Sequence, residues 1–181
     1  MRLFIGIDLP DKAKKEISEQ IEPLRLKYPD FNWIDPVNYH LTIYFIGESQ
    51  HVKLIEEKIK NCLFDQFSFY LYAYNIDLFL GQKIILYLTF RREKKLEEMA
   101  EKLKINLKSF DQKNEDVKFV AHLTLARYRI PSKQQYLLIK KTVEKKQIEV
   151  EFPVNKIYLF QSVLSASKPT QKRIAGFSLI K

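Results

Sequence analysis

The sequence predicts an α+β protein of two pseudo-symmetric lobes, each a small antiparallel or mixed sheet with helices on its outer face, with a cleft between them. Three observations predict it. The pattern His-apolar-Thr-apolar occurs twice, as His40-Leu41-Thr42-Ile43 and His122-Leu123-Thr124-Leu125, and takes two of only three histidines in 181 residues. The copies lie 122 − 40 = 82 residues apart, close to half the chain. Shifting the sequence by that interval lays one series of elements on another: strand, helix, motif strand, helix, strand.

The elements follow in order. Arg2–Asp8 (RLFIGID) reads as a short strand and falls on Ile84–Phe90 (IILYLTF). Pro10–Tyr28 reads as an amphipathic helix with Ile17, Ile21 and Leu24 on one stripe. Pro10 suits a first helical turn and Asp11 the N-terminal dipole, while Pro23 either kinks the helix or ends it early. Its counterpart, Arg92–Phe110, repeats the stripe with Leu96, Met99, Leu103 and Leu107. Behind the motif strands, Ser49–Cys62 and Ser132–Lys146, the latter after Pro131, read as second helices. Strand-rich segments follow at Phe67–Leu80 and Glu149–Leu164, and Gly81-Gln82 reads as the hairpin turn leading into Lys83–Phe90. Arg173–Ile180 is a closing strand able to pack on either lobe. With no Pro/Gly/Ser-rich linker, residues 1–181 form a single domain, with lobes of about 1–82 and 83–181 and the closing strand shared.

Composition narrows the classes. The hydrophobic share of 46% and charged share of 29% are those of an ordinary globule able to bury a core without disulfides. The charge of 31 − 22 = +9 favours polyanionic partners such as nucleic acid, although Lys-rich proteins without such partners share it. Cys62 is the only cysteine, which excludes an internal disulfide and a Cys-based zinc site and fits a reducing cytoplasm. Met1–Leu9 is interrupted by Asp8 and ends at Pro10, unlike a secretory signal, and no apolar run approaches the length of a membrane span.

The motif dictates its own chemistry. Side chains alternate along a strand, so His40 and Thr42 share one face while Leu41 and Ile43 point into the other, and the second copy repeats this. Imidazole titrates near neutrality. Two such groups on opposite sides of a phosphodiester suit an in-line displacement, in which one takes a proton from attacking water and the other protonates the leaving oxygen. Each role contributes roughly 10²–10⁴-fold. The threonine hydroxyls donate to the non-bridging oxygens, where bonds strengthen as charge grows. This chemistry requires no metal or other cofactor, and His51, at a helix start, has no partner at ligand spacing. A single His-x-Thr in a strand is ordinary sequence, because threonine favours strands anyway; the duplication in register carries the signal. There is no Gly-x-Ser-x-Gly and no Gly-rich phosphate loop.

The paired motifs resemble the 2H phosphoesterase superfamily, and within it the RNA 2′,3′-cyclic phosphodiesterases, also called 2′-5′ RNA ligases. The resemblance spans nearly the whole chain: the opening Met1–Pro10, the lead-in and first motif Asn32–Ile43, Phe45-Ile46-Gly47-Glu48 after it, the second motif Ala121–Arg127, and Phe160-Gln161-Ser162-Val163-Leu164. It implies that His40 donates a proton to the leaving ribose oxygen, that His122 is the general base, and that Thr42 and Thr124 hold the phosphate. Arg127 stands where the family has an arginine associated with the site. Strict alternation puts Arg127 on the face opposite His122, so either a bulge turns it inward or it is a surface arginine. Ser162 is a further carry-over. Tyr44 continues the face of His40, and Tyr128 that of His122; each ring is placed either to stack on a base or simply to pack. Lys168, Lys172 and Arg173 are candidates for RNA phosphates, whereas Lys94-Lys95, Lys140-Lys141 and Lys145-Lys146 read as solvated helix charges. Three departures are present: Ala121 in place of a proline, Gln161 in place of an arginine, and Lys168-Pro169-Thr170-Gln171 in place of a Gly-rich turn with tyrosine.

The implied activity is metal-independent opening of RNA 2′,3′-cyclic phosphate ends to 2′-phosphates, with 2′-5′ joining as the reverse chemistry, by a cytoplasmic monomer acting on RNA ends or nucleotide cyclic phosphates. The alternatives are a phosphodiesterase for another cyclic phosphate or a 2′-5′ oligonucleotide, and a non-catalytic nucleotide- or RNA-binding module.

Overall fold

The apolar runs assemble into two antiparallel sheets around a shared core. The computed structural model describes residues 1–81, 83–110, 118–129, 132–163 and 170–181; the expectations that fall on Gln82, Pro131, Leu164 and Lys168 lie outside these residues. In chain order the elements are β1 (Arg2–Asp8), α1 (Asp11–Lys27), β2 (Asn32–Trp33), β3 (His40–Glu48), α2 (Val52–Leu63), β4 (Phe69–Leu80), β5 (Ile84–Phe90), α3 (Lys94–Leu107), β6 (His122–Tyr128), α4 (Lys133–Val143), β7 (Gln147–Val154), β8 (Lys156–Val163) and β9 (Thr170–Ser178). One sheet has the order β3-β1-β8-β9 and the other β2-β6-β5-β4-β7.

Period-two patterning explains the outer strands. In the first half of β4, Phe69, Leu71 and Ala73 are buried while Tyr70, Tyr72 and Tyr74 are exposed, and β7 alternates throughout. The near-continuous apolar strand β5 is central to its sheet. The helices bury the predicted stripes: Ile17, Ile21 and Leu24 in α1, and Leu96, Met99, Leu103 and Leu107 in α3. Pro23 neither ends α1 nor marks its boundary, because the buried Ile21 and Leu24 on either side hold the helix to the core despite the missing N–H. Pro10 precedes the helix rather than forming its first turn.

Two expectations need correction. The segment Glu149–Leu164 is not one strand region of one lobe: it divides at Asn155 into β7 and β8, which join different sheets. Nor do the sheets partition the chain at residues 82 and 83. The hairpin through Gly81 pairs β4 with β5 and so carries β4 into the second sheet, while β8 and β9 return to pair beside β1 and complete the first. The halves thus exchange their last strands; β9 pairs within the first sheet, and Ile180 beyond it bridges Phe67 just ahead of β4. One apolar cluster contains residues of both sheets and of all four described helices, including Ile5, Ile17, Leu41, Ile59, Leu103, Leu123, Ile139 and Ile157. The motif strands β3 and β6 approach each other across the middle of the molecule, with Cα atoms within 8 Å.

Candidate active site

Both motif strands carry the same irregularity. In β3, Thr42 pairs with Gly6 and Tyr44 with Ile5, leaving Ile43 without a partner. In β6, Thr124 pairs with Tyr87 and Ala126 with Leu86, leaving Leu125 without one. The extra residue is the last of each tetrapeptide, and the two are again 125 − 43 = 82 apart. A bulge reverses the alternation beyond it. Before the bulge, His and Thr face the cleft and the apolar residues face the core. After it, Tyr44 turns to the core side and Phe45 to the cleft; likewise Tyr128 turns away and Arg127 turns in. Phe45 lies 5.9 Å from Phe4, centroid to centroid, on the histidine face. Tyr128 stacks on Phe31 at 4.5 Å, against the core. Tyr44 also packs on the core. The extension of the cleft face to Tyr44 and Tyr128 is therefore corrected by one residue in each strand.

The histidines are held identically. His40 Nδ1 is 2.8 Å from the carbonyl of Asn38, and His122 Nδ1 is 2.8 Å from that of Val120. A carbonyl only accepts, so each Nδ1 carries the proton, and among the described residues neither Nε2 has a hydrogen-bond partner. The sequence before His40 builds its anchor. The Asp35 carboxylate accepts the Val37 N–H at 3.1 Å and starts the 3₁₀ turn Pro36–Asn38, which presents the Asn38 carbonyl. Each imidazole also rests on a stacked aromatic pair from its own sheet. Phe4 and Phe160 (5.0 Å apart) lie 5.1 and 6.1 Å from His40. Phe79 and Tyr87 (3.9 Å apart) stand nearly perpendicular to the His122 ring, with centroids 5.3 and 5.8 Å from it. Gly6 lets β1 lie close to the first motif: a Cβ there would stand 2.7 Å from the Leu41 carbonyl oxygen.

The electrostatics tie the lobes together. Burial pushes the His40 pKa below its ordinary value; the Asn38 carbonyl and the Asp8 carboxylate oppose this, while the Arg127 guanidinium and His122 add to it. His40, His122 and Arg127 therefore share one field. Arg127 is exposed by area, yet enough protein surrounds its guanidinium for desolvation to lower its pKa. Asp8 pairs in register with His40 and is gripped by Lys14 Nζ at 2.7 Å and by the Arg173 guanidinium, which lies 5.1 Å over the Tyr158 ring.

The four motif residues and Arg127 thus fall on the facing sides of β3 and β6. Ser162 shares the face of Phe160, opposite Arg2 and Gln171. Of the cations expected to meet phosphate, Arg173 lies on the cleft side of β9 and is engaged with Asp8, whereas Lys172 pairs with Gln161 on the other side. His51 precedes α2, exposed and with no side-chain capping bond. Sequence reasoning missed the supporting rings Phe79 and Tyr87 and the role of Asp8. The alternation of β1 places Phe4, Gly6 and Asp8 on one face and was the available signal. Among the described residues, no three His, Cys, Asp or Glu side chains are grouped to hold a metal ion, and no helix is long and apolar enough to cross a membrane. Two hollows lie elsewhere, one lined by Tyr28, Phe31 and Tyr128 and one by Met1, His51 and Phe110.

Fold and site together define an α+β protein in which two similar sheets each offer an anchored imidazole and a threonine hydroxyl to one cleft. A sequence model of the 2′-5′ RNA ligase superfamily matches residues 10–164, and the chain belongs to that superfamily. It is 29% identical over 177 residues to an RNA 2′,3′-cyclic phosphodiesterase of Thermotoga maritima, covering 95% of this chain and 92% of the relative. It is 25% identical over 179 residues to a protein of the same name from Archaeoglobus fulgidus, covering 98% and 99%. Apo E. coli LigT shares the fold with a TM-score of 0.79 at 21% identity, covering 99% of this chain and 98% of that one.

Proposed function

We propose that this chain is an RNA 2′,3′-cyclic phosphodiesterase that opens the cyclic ester to a 2′-phosphate. The observation that carries this reading is the matched anchoring of His40 and His122, which frees two Nε2 atoms in one electrostatic field. Water attacks phosphorus as His122 Nε2 takes its proton. The P–O3′ bond breaks, and His40 Nε2–H protonates O3′. Thr42 and Thr124 donate to the non-bridging oxygens, and Arg127 offsets their charge. A 5′-hydroxyl in place of water gives a 2′-5′ linkage by the same proton transfers. These side chains supply the whole of the acid–base chemistry, so turnover persists in EDTA. The chain acts as a monomer in the cytoplasm, and Ser162 lines the outer part of the substrate cleft. The named relatives support the substrate class, since both are called RNA 2′,3′-cyclic phosphodiesterases.

The test is incubation with an oligonucleotide ending in a 2′,3′-cyclic phosphate, followed by assignment of the product phosphate. The wild type yields a 2′-phosphate; His40→Ala and His122→Ala, folded by circular dichroism, yield none. Full turnover by either variant contradicts the proposal.

A further inference from the structure

A row of exposed tyrosines leads away from His122. Tyr70, Tyr72 and Tyr74 are 53%, 40% and 44% exposed, on a strand whose intervening Leu71 and Ala73 are buried. They lie on the open side of the five-stranded sheet, the side that carries His122. Register shows the continuity: His122 pairs with Thr89 and Thr89 with Asn75, while Ala73 pairs with the buried Phe90, so Tyr72 shares the face of Asn75 and the extra residue Tyr74 sits in the bulge between them, exposed. Tyr74 acts electrostatically on Tyr87, one of the two rings beneath His122, and Tyr70 acts on Tyr72. The exposed row Tyr70, Tyr72 and Tyr74 thus lies on the sheet face that also carries Phe79 and Tyr87. Neighbouring members of the row stand roughly 6.6 Å apart at two residues of strand rise.

Charged side chains flank the row. Tyr72 pairs in register with Glu151 of the neighbouring strand, whose carboxylate helps to raise the Tyr72 pKa. The Arg91 guanidinium lies 5.7 Å from the Tyr72 centroid, bringing a cation beside the row. Lys95 reaches the Ser68 carbonyl, at 3.3 Å, at the row's outer end. Exposed aromatics in series on a sheet, with cations beside them, form a stacking platform for single-stranded nucleic acid, since every base has a π-face to offer. A net charge of +9 favours such a strand over an acidic partner of compact shape only where rings and cations coincide, as they do here.

We propose that Tyr70, Tyr72 and Tyr74 form a track for the single-stranded RNA leading up to the reacting end, with bases stacked on the rings and Arg91 serving the backbone. This rests on the RNA-end reading above and adds to it a preference for strands over mononucleotides. None of the three tyrosines belongs to the proton-transfer machinery.

Two variants separate the possibilities: Tyr70→Leu/Tyr72→Leu/Tyr74→Leu, which removes the rings but keeps apolar bulk, and the corresponding Phe set, which keeps the rings. Anisotropy of a fluorescent octanucleotide bearing a 3′-phosphate reads binding whether or not the protein turns over. The Leu set binds it at least about tenfold more weakly than wild type, and the Phe set within about threefold. On a 2′,3′-cyclic mononucleotide, kcat/KM is the same for all three proteins. Should the Leu set misfold, Tyr70→Leu, the most exposed change, is measured alone and loses about fivefold. Unchanged octanucleotide binding in the Leu set, or an equal loss in the Phe set, overturns the track. Wild-type protein that binds the octanucleotide through the rings yet opens no cyclic phosphate overturns the activity and leaves the track standing.

Discussion

Gly6→Ala tests how closely the first sheet is built around its motif. The new Cβ would lie 2.7 Å from the Leu41 carbonyl oxygen, against ordinary contact from 3.4 Å, so the two strands must part by 3.4 − 2.7 = 0.7 Å. The obstacle is backbone, not a flexible side-chain end, and Leu41 stands between His40 and Thr42. Overpacking of this kind costs about 1–3 kcal/mol. At ~2–4 °C per kcal/mol for a chain of this size, Tm falls by about 2–12 °C. The displacement also reaches both motif side chains, and misplacement near 1 Å costs up to about 10²-fold in rate. Thermal denaturation and kcat on a cyclic-phosphate oligonucleotide check the two halves separately. An alanine variant with wild-type Tm and kcat would refute the reasoning, because it would mean that β1 and β3 do not approach as closely as the register requires.

Further outcomes follow from the same geometry. The His40 ring titrates below 6.5 in the free protein, since burial, Arg127 and His122 outweigh Asp8 and the Asn38 carbonyl; a bound phosphate anion raises it, and an NMR titration with a midpoint at or above 6.5 before ligand is added contradicts this. Because His40 must be protonated to act as the acid, kcat/KM declines on the alkaline side from below pH 6.5, and the corresponding arm of kcat lies at higher pH. The sign for stability is opposite: the unfolded chain binds the His40 proton more readily, so this residue's contribution is present above pH 6.5 and is lost as pH falls through its folded value. Thr42→Val and Thr124→Val each lower kcat by about 10²-fold with little change in Tm, and a loss confined to KM would count against their role in charge stabilisation. Leu103→Ala, at a fully buried position of α3, lowers stability by about 2–5 kcal/mol in urea melts while sparing the cleft.

Periodicity made most of the elements legible. The helical stripes of α1 and α3 and the strand character of both motifs stood in the sequence, because those segments bury one face against one core. The 82-residue repeat located the sites but misled about the sheets. A shift reveals which elements are alike, whereas pairing is decided by the shortest closure, and the Gly81 hairpin holds β4 to β5 across the boundary between halves. Tyr44 and Tyr128 were misplaced for a related reason. Alternation is a rule of regular strands, and the bulges at Ile43 and Leu125 are tertiary features: Gly6 and Tyr87 on the neighbouring strands define them, and no property of the tetrapeptide announces them. The same bulges answer what alternation left open for Arg127, which turns to the cleft side. Asn38 and Val120, each two residues before a motif histidine, anchor the imidazoles through backbone carbonyls, which leave no trace in residue identity.

Two imidazoles serving one phosphorus are the core of the mechanism, and a crystal structure with a nucleoside 2′-phosphate in the cleft measures that directly. The expected result has His122 Nε2 within about 2.6–3.2 Å of an oxygen of the 2′-phosphate and His40 Nε2 within the same range of the neighbouring ribose O3′, the oxygen released from that phosphorus. A phosphate bound by one histidine, with the other ring directed elsewhere, would contradict it.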